Sequence, residues 1–329
     1  MRFLAERLFG MVVTLFLVSV MVFFIMELPP GDYAERYAFR KYSGTGVTMT
    51  EQDVEAIRAE LGLDAPALVR YGNWIGGILL HGDFGPAYAF DTSVNTIIGD
   101  KVWLTLGLLF ATLIVTYLIA IPIGIYAAVR RGSAVDYGLT VFSYLGLALP
   151  NFLLALVLLY FSNRWFGASV GGLFSARYAE APWSAAKLWD LVKHLWLPAL
   201  VLAWSALAYQ IQTVRATMSD EIGKLSVTAA RARGLSEARL LIKYPARLAI
   251  NPVVSTIGFD VNRIFSELPI VAAVLGLTEL GDLLLKSYLD LDMNVAGAIL
   301  LMLTVVIVVM NVFSDLLLAW LDPRIRLGG

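Results

Sequence analysis

Six stretches of this chain are long and apolar enough to cross a lipid bilayer, approximately Leu8–Leu28, Val102–Val129, Tyr137–Trp165, Leu195–Val214, Pro252–Leu277 and Val295–Trp320. A hydrocarbon core about 30 Å thick takes roughly 20 helical residues at about 1.5 Å each. Lipid offers no partner to a backbone N–H or C=O, so such stretches become helices. The expectation is an all-α membrane protein of six transmembrane helices. Composition agrees: 59% of the residues are hydrophobic and 16% charged, with a mean hydropathy of +0.74, where soluble domains average about 25% charged. The absence of cysteine excludes disulfides, thiolate nucleophiles and cysteine metal sites. Several stretches carry Pro or Gly (Pro122, Gly124, Pro150, Pro198), which packed membrane helices tolerate.

The first stretch follows Arg2 and Arg7 and competes with a signal peptide. Its apolar run is long for an h-region, and Leu28-Pro29-Pro30-Gly31-Asp32 is a poor small-residue cleavage site, which favours an uncleaved anchor. Lys and Arg in the loops set the orientation. With the N-terminus inside, the cytoplasmic segments hold Arg2, Arg7, Arg130, Arg131, the cluster from Arg215 to Arg247, and Arg324 and Arg326. The external Gly31–Lys101 segment carries ten acidic residues, Asp53, Glu55 and Glu60 among them. Both termini are therefore expected in the cytoplasm.

Two inter-span regions exceed simple turns. In the external one, Thr50 can cap a helix with Asp53 in the capping-box position, and Gly62 can end it. Tyr71-Gly72-Asn73-Trp74-Ile75 then lies against the membrane face. Such an acidic, partly helical cap reads as a docking platform, or as a folded cap with no partner. In the cytoplasmic region, Ser226 can cap a short helix through Arg233, Gly234 supplies a left-handed C-cap, and Ser236 can cap a second helix. Small side chains at Ala229, Ala230 and Ala232 permit close approach of another protein. Spacing alone leaves this reading level with a basic loop that merely anchors topology.

Thr228-Ala229-Ala230-Arg231-Ala232-Arg233-Gly234-Leu235-Ser236-Glu237 resembles the EAA-type loop of ABC importer permeases, in the variant of the dipeptide and oligopeptide branch. Pro30-Gly31-Asp32, Leu61-Gly62-Leu63-Asp64-Ala65-Pro66 and Gly82-Asp83-Phe84-Gly85 match that branch in order. His194-Leu195-Trp196-Leu197-Pro198-Ala199-Leu200 and Leu321-Asp322-Pro323-Arg324-Ile325-Arg326 follow, so the resemblance covers essentially the whole chain. The long first external segment is similar to that of the first permease of the usual pair. Two departures stand out: Thr228 replaces the opening Glu, and Pro269–Thr278 lacks the branch's acidic residue and Trp-Pro pair.

The resemblance implies a type I importer permease in a bacterial inner membrane. An anchor helix (1–29) would lead to a periplasmic cap (30–101) and a five-helix core (102–329) with the coupling loop at about 215–247. It implies a second permease, two ATPases and a periplasmic binding protein as partners beside the bilayer, and no nucleic acid. Ala229, Ala230, Arg231, Ala232, Arg233, Gly234 and Glu237 would couple to the ATPases. Relatives of this branch carry peptides, and others oligosaccharides or metal chelates. No G-x-x-x-x-G-K-[ST] loop occurs, so no cofactor is expected on this chain, with ATP and Mg used by partner subunits.

In the fifth stretch, Asp260, Arg263 and Glu267 fall on one helical face and are expected to pair with one another. They either fix packing or line the path, where they would suit a zwitterionic peptide. An ATP-independent carrier would show inverted repeats, and none is legible. His81 and His194 lie far apart and outside H-E-x-x-H, and no G-x-S-x-G occurs, which argues against an embedded enzyme.

Overall fold

The computed structural model describes residues 2–28, 33–42, 50–90, 92–166 and 171–321. Pro30-Gly31-Asp32 and residues 322–326 of the terminal motif lie outside the described residues. The helices are α1 (Arg2–Glu27), α2 (Tyr33–Tyr42), α3 (Glu51–Glu60), α4 (Ala67–Gly76), α5 (Val94–Val129), α6 (Ala134–Ala148) and α7 (Asn151–Phe166). They continue as α8 (Ala185–Ile222), α9 (Leu225–Ala232), α10 (Glu237–Leu241), α11 (Arg247–Ser255), α12 (Ile257–Leu275), α13 (Leu280–Leu289) and α14 (Met293–Leu321). π-helical turns span Gly77–His81 and Ile242–Ala246, and strands β1 (Pro86–Ala87) and β2 (Thr92–Ser93) form one antiparallel pair.

Helices α1, α5, α8 and α14 are each long and apolar enough to cross a membrane, and six spans result if each of two bent pairs counts as one. The third stretch, expected as one helix, is corrected: α6 and α7 meet at 103°. Pro150 is the cause, because its ring disfavours helical geometry in the preceding residue, and Leu149 is extended at φ −93°, ψ 122°. The fifth stretch is also interrupted. Thr256 stands between α11 and α12 at φ −100°, ψ 2°, its hydroxyl turned to the carbonyls of Pro252 and Val253 at 3.2 and 3.0 Å. Beyond Leu275, Gly276 adopts φ +64° and the chain bends 85° into α13. Pro122 and Pro198 leave α5 and α8 unbroken.

The chain divides into two compact units. One comprises Met1–Met11, Trp103–Asp282 and Val306–Gly329. Its helices approach closely at glycines: a Cβ on Gly124 would stand 2.7 Å from Val214 Cβ, and one on Gly146 2.6 Å from Ala208 Cβ. Small residues at such crossings let backbones pack where no hydrophobic force drives helices together in lipid. The other unit comprises Val12–Val102 and Leu283–Val305. Ala34, Ala38 and Ile57 join α2 to α3, and Thr50 and Asp53 make the expected capping box. Gly62 turns the chain at φ +65°. Asp292 accepts from the Ala89 N–H at 2.7 Å, and Asn294 donates to the Pro86 carbonyl at 3.1 Å.

Candidate functional site

Two places in the larger unit carry the residues singled out from sequence. The first runs from the end of α8 to α11. Helix α9 starts two residues earlier than expected, at Leu225 and not Val227, a correction to the assignment of Ser226 as its cap. Lys224 is the extended residue before the helix, and its carbonyl accepts from Val227 and Thr228 N–H at 3.0 and 3.2 Å. Gly234 follows at φ +80°, as a left-handed terminus requires. Ser236 precedes α10 as expected, without a side-chain capping bond.

The inner face of α9 is held by its own chain. Val227, Ala230 and Leu240 form one buried cluster backed by Leu235, Leu241 and Tyr244. Ala230 is therefore small because it packs against α10, and it is turned away from any partner. Ala229, Arg231, Ala232, Arg233, Gly234 and Glu237 are exposed. Arg231 makes a two-point ion pair with Glu237 at 2.5 and 3.1 Å, joining α9 to α10 across the Gly234 corner. That pair holds the Glu237 carboxyl below the usual range and raises the Arg231 guanidinium. Sequence reasoning missed Leu225, which presents 86% of its surface at the start of α9. An apolar residue so placed on a basic segment was the available signal. At the base of the segment, Arg215 clamps Asp136 at 2.5 and 2.9 Å, which also accepts from the Gly132 N–H, so α8 is tied to the turn before α6.

The second place is α12. Asp260, Arg263 and Glu267 do share a face, but no ion pair joins them among the described residues, which corrects the expected ladder. Asp260 is fully buried, and one of its oxygens accepts from Tyr117 at 2.8 Å and from Gln210 at 2.6 Å. Gln210 also reaches Thr256 at 2.8 Å, so α5, α8 and the α11–α12 break meet at this carboxyl. Arg263 instead stacks on Phe259 at 5.1 Å and Tyr209 at 5.4 Å. Glu267 accepts from Ser205 at 3.4 Å. The second oxygen of Asp260, one nitrogen of Arg263 and one oxygen of Glu267 are enclosed without a partner.

Beside this half-buried pair runs a stripe that sequence reasoning passed over. Ser255, Asn262 and Ser266 are exposed at helical spacing along with Phe259 and Ile270. Polar groups on a lipid-facing surface are costly, so such a stripe belongs against water or protein. Glu279, also unmarked from sequence, is buried after α12, where it accepts from Thr105 at 3.1 Å and from the Gly281 N–H at 2.6 Å. It fastens the bend between α12 and α13 to α5.

Comparison with known proteins bears on the family. Residues 120–327 match the model of the binding-protein-dependent transport system inner membrane component, and residues 1–109 match the N-terminal model of such components. A putative peptide permease protein of Brucella suis biovar 1 (strain 1330) is 32% identical over 99% of both chains. An oligopeptide transport system permease protein of Bacillus subtilis (strain 168) is 31% identical over 94% of both. A probable peptide ABC transporter permease protein of Sinorhizobium fredii is 27% identical over 98% of this chain. Several crossing helices, an exposed short helix propped between two of them, and matches that together span nearly every residue lead to one conclusion: the chain belongs to the family of binding-protein-dependent transport system inner membrane components, the permeases of ABC importers.

Proposed function

We propose that this permease imports short peptides as the first member of a permease pair in a bacterial inner membrane, with both termini cytoplasmic. An external binding protein delivers substrate, and two cytosolic ATPases supply the work. Nucleotide and Mg are handled by those ATPases, and this chain binds no cofactor. The observation that carries the reading is the exposed outer face of α9, with Leu225 as its apolar tip and Val227, Ala230 and Leu240 locking its inner face. A short helix held in this way passes a push to α8 and α11 instead of rotating in place. ATP-driven closure of the ATPases would favour whichever permease state seats that tip better.

The path for substrate runs along the exposed stripe of α12. Asp260 is fully buried with one oxygen held by Tyr117 and Gln210, which leaves the partly exposed Arg263 and Glu267 to meet the carboxylate and ammonium of a peptide. The peptide assignment itself is supported by the names of the relatives.

The absence of cysteine makes the test direct. In the assembled transporter, Leu225→Cys should cross-link to an ATPase subunit carrying an introduced cysteine, with loss of peptide uptake. A membrane-impermeant maleimide should label Thr50→Cys on intact cells and Leu225→Cys only after permeabilisation. Labelling of Leu225→Cys from outside would reverse the orientation. Transport of an oligosaccharide with no uptake of di- or tripeptides would replace the substrate class.

A further inference from the structure

Helix α4 has ten residues, about 15 Å of helix, and is too short to cross a hydrocarbon core of about 30 Å. In a membrane protein an apolar helix of this length is either buried among other helices or laid in the interface. Within the smaller unit α4 is tied to the Glu27 half of α1. The hydroxyls of Tyr71 and Ser19 share a hydrogen bond at 2.8 Å, and Phe23 packs against Tyr71 at 5.5 Å and Trp74 at 6.2 Å. Arg70 forms an ion pair with Glu27. Ser19 stands about 12 Å inside Glu27 along a helix of membrane-crossing length, so the Tyr71 side chain reaches to bilayer depth.

Tyr71 and Trp74, expected to meet the membrane, are therefore turned to α1, and the open surface of the segment is aliphatic instead. Leu68 is 82% exposed and Leu80, in the π-helical turn that follows α4, is 80% exposed, with Val69 and Leu79 open beside them. Between Asp64 and His81 the one charge is Arg70, which Glu27 neutralises. Asn73, the exposed polar side chain of this stretch, borders a cavity shared with Trp74 and Asp83. The backbone is closed where the stretch ends. The N–H of Gly82, at φ +64°, donates to the Ile78 carbonyl and that of Asp83 to the Gly77 carbonyl, both at 3.1 Å, and the Asn95 amide donates to the Gly82 carbonyl at 2.6 Å. Lipid tolerates only backbone whose polar groups are satisfied in this way. At the same height α1 presents Phe24, Ile25 and Leu28 outward, the lipid-facing side of a crossing helix.

We propose that residues 67–80 form an interfacial wedge whose partner is lipid, with Leu68, Val69, Leu79 and Leu80 immersed among the acyl chains of the leaflet at the Glu27 end of α1. A helix on a membrane surface is held by the apolar area it buries. Here the ties to Ser19, Phe23 and Glu27 add a fixed depth and a fixed rotation. The wedge moors α3, which the Gly62 turn joins to α4, at the membrane surface. It holds for either orientation of the chain and needs neither peptide import nor the ATPase contact, so its fate is separate from theirs.

The test exploits the absence of cysteine. Leu68→Cys, Leu80→Cys, Phe24→Cys and Glu51→Cys are each spin-labelled in the assembled transporter in phospholipid liposomes, with the partner subunits made cysteine-free. All four side chains are exposed, so the labels leave the packing of the chain intact. Collisions with oxygen, which concentrates in lipid, and with a water-soluble nickel chelate report the depth of each label. Labels at 68 and 80 should lie about 5–10 Å into the headgroup and acyl boundary. They should favour oxygen, as the label at 24 does, whereas the label at 51 should favour the chelate. Chelate access at 68 and 80 equal to that at 51 would overturn the wedge. So would labels at 68 and 80 screened from both reagents, because the surface would then be covered by protein and not by lipid.

Discussion

Leu225→Ala separates docking from folding. Because the side chain is 86% exposed, its truncation should change the chain's own stability by no more than about 0.5 kcal/mol. If the side chain enters a groove on the ATPase, burying it is worth about 1.5–3 kcal/mol. At about 1.4 kcal/mol per tenfold, the variant should bind the ATPase subunits roughly 10- to 150-fold more weakly. The assay titrates labelled ATPase subunits onto the permease pair in nanodiscs, beside peptide uptake in cells. Leu240→Ala is the contrasting variant, since Leu240 is fully buried beneath α9. It should cost about 2–5 kcal/mol of stability and raise amide exchange in α9. Unchanged ATPase affinity and uptake in Leu225→Ala would refute the argument that α9 is the lever, whatever Leu240→Ala does.

Three further outcomes follow from the same geometry. A Cβ at Gly234 would meet nothing within 4 Å, so the cost of Gly234→Val is conformational; at φ +80° it should be about 1–2 kcal/mol, seen as faster amide exchange through α9 and lower uptake, and exchange at the wild-type rate would refute the strained corner. Arg263→Met with Glu267→Gln leaves the Tyr117–Asp260–Gln210 cluster intact and should give normal assembly with impaired peptide uptake, whereas wild-type uptake across several peptides would assign both groups to packing. Arg231 lowers the carboxyl pKa of Glu237, so the ion pair contributes above the unfolded value of 4.5 and is lost as pH falls through the folded value; the difference in α9 exchange between wild type and Glu237→Gln should therefore shrink below pH 4.5 and persist at neutrality.

What could be read without a structure followed from length and period. Apolar runs of membrane length do not depend on packing partners, so their positions were legible, and so were the Thr50–Asp53 capping box and the left-handed turn at Gly234, which are local backbone chemistry. The bends were less so. Pro150 marked a place where a helix could break, but Pro122 and Pro198 look the same in sequence and sit in continuous helices. Neighbours decide whether a proline is absorbed or becomes a corner.

Partnership was decided only in three dimensions. Spacing put Asp260, Arg263 and Glu267 on one face, and helical geometry alone made mutual pairing the natural outcome. Tyr117 and Gln210 lie 143 and 50 residues from Asp260 in the chain, yet they take its carboxyl. Ala230 is indistinguishable from Ala229 in sequence, but one is buried on Leu240 and the other is exposed. Sequence by itself determined that this chain crosses a membrane, and through its motifs the family to which it belongs. Which face of each short helix is turned inward, and which charge answers which, depended on contacts between distant segments, and those exist only once the helices have packed.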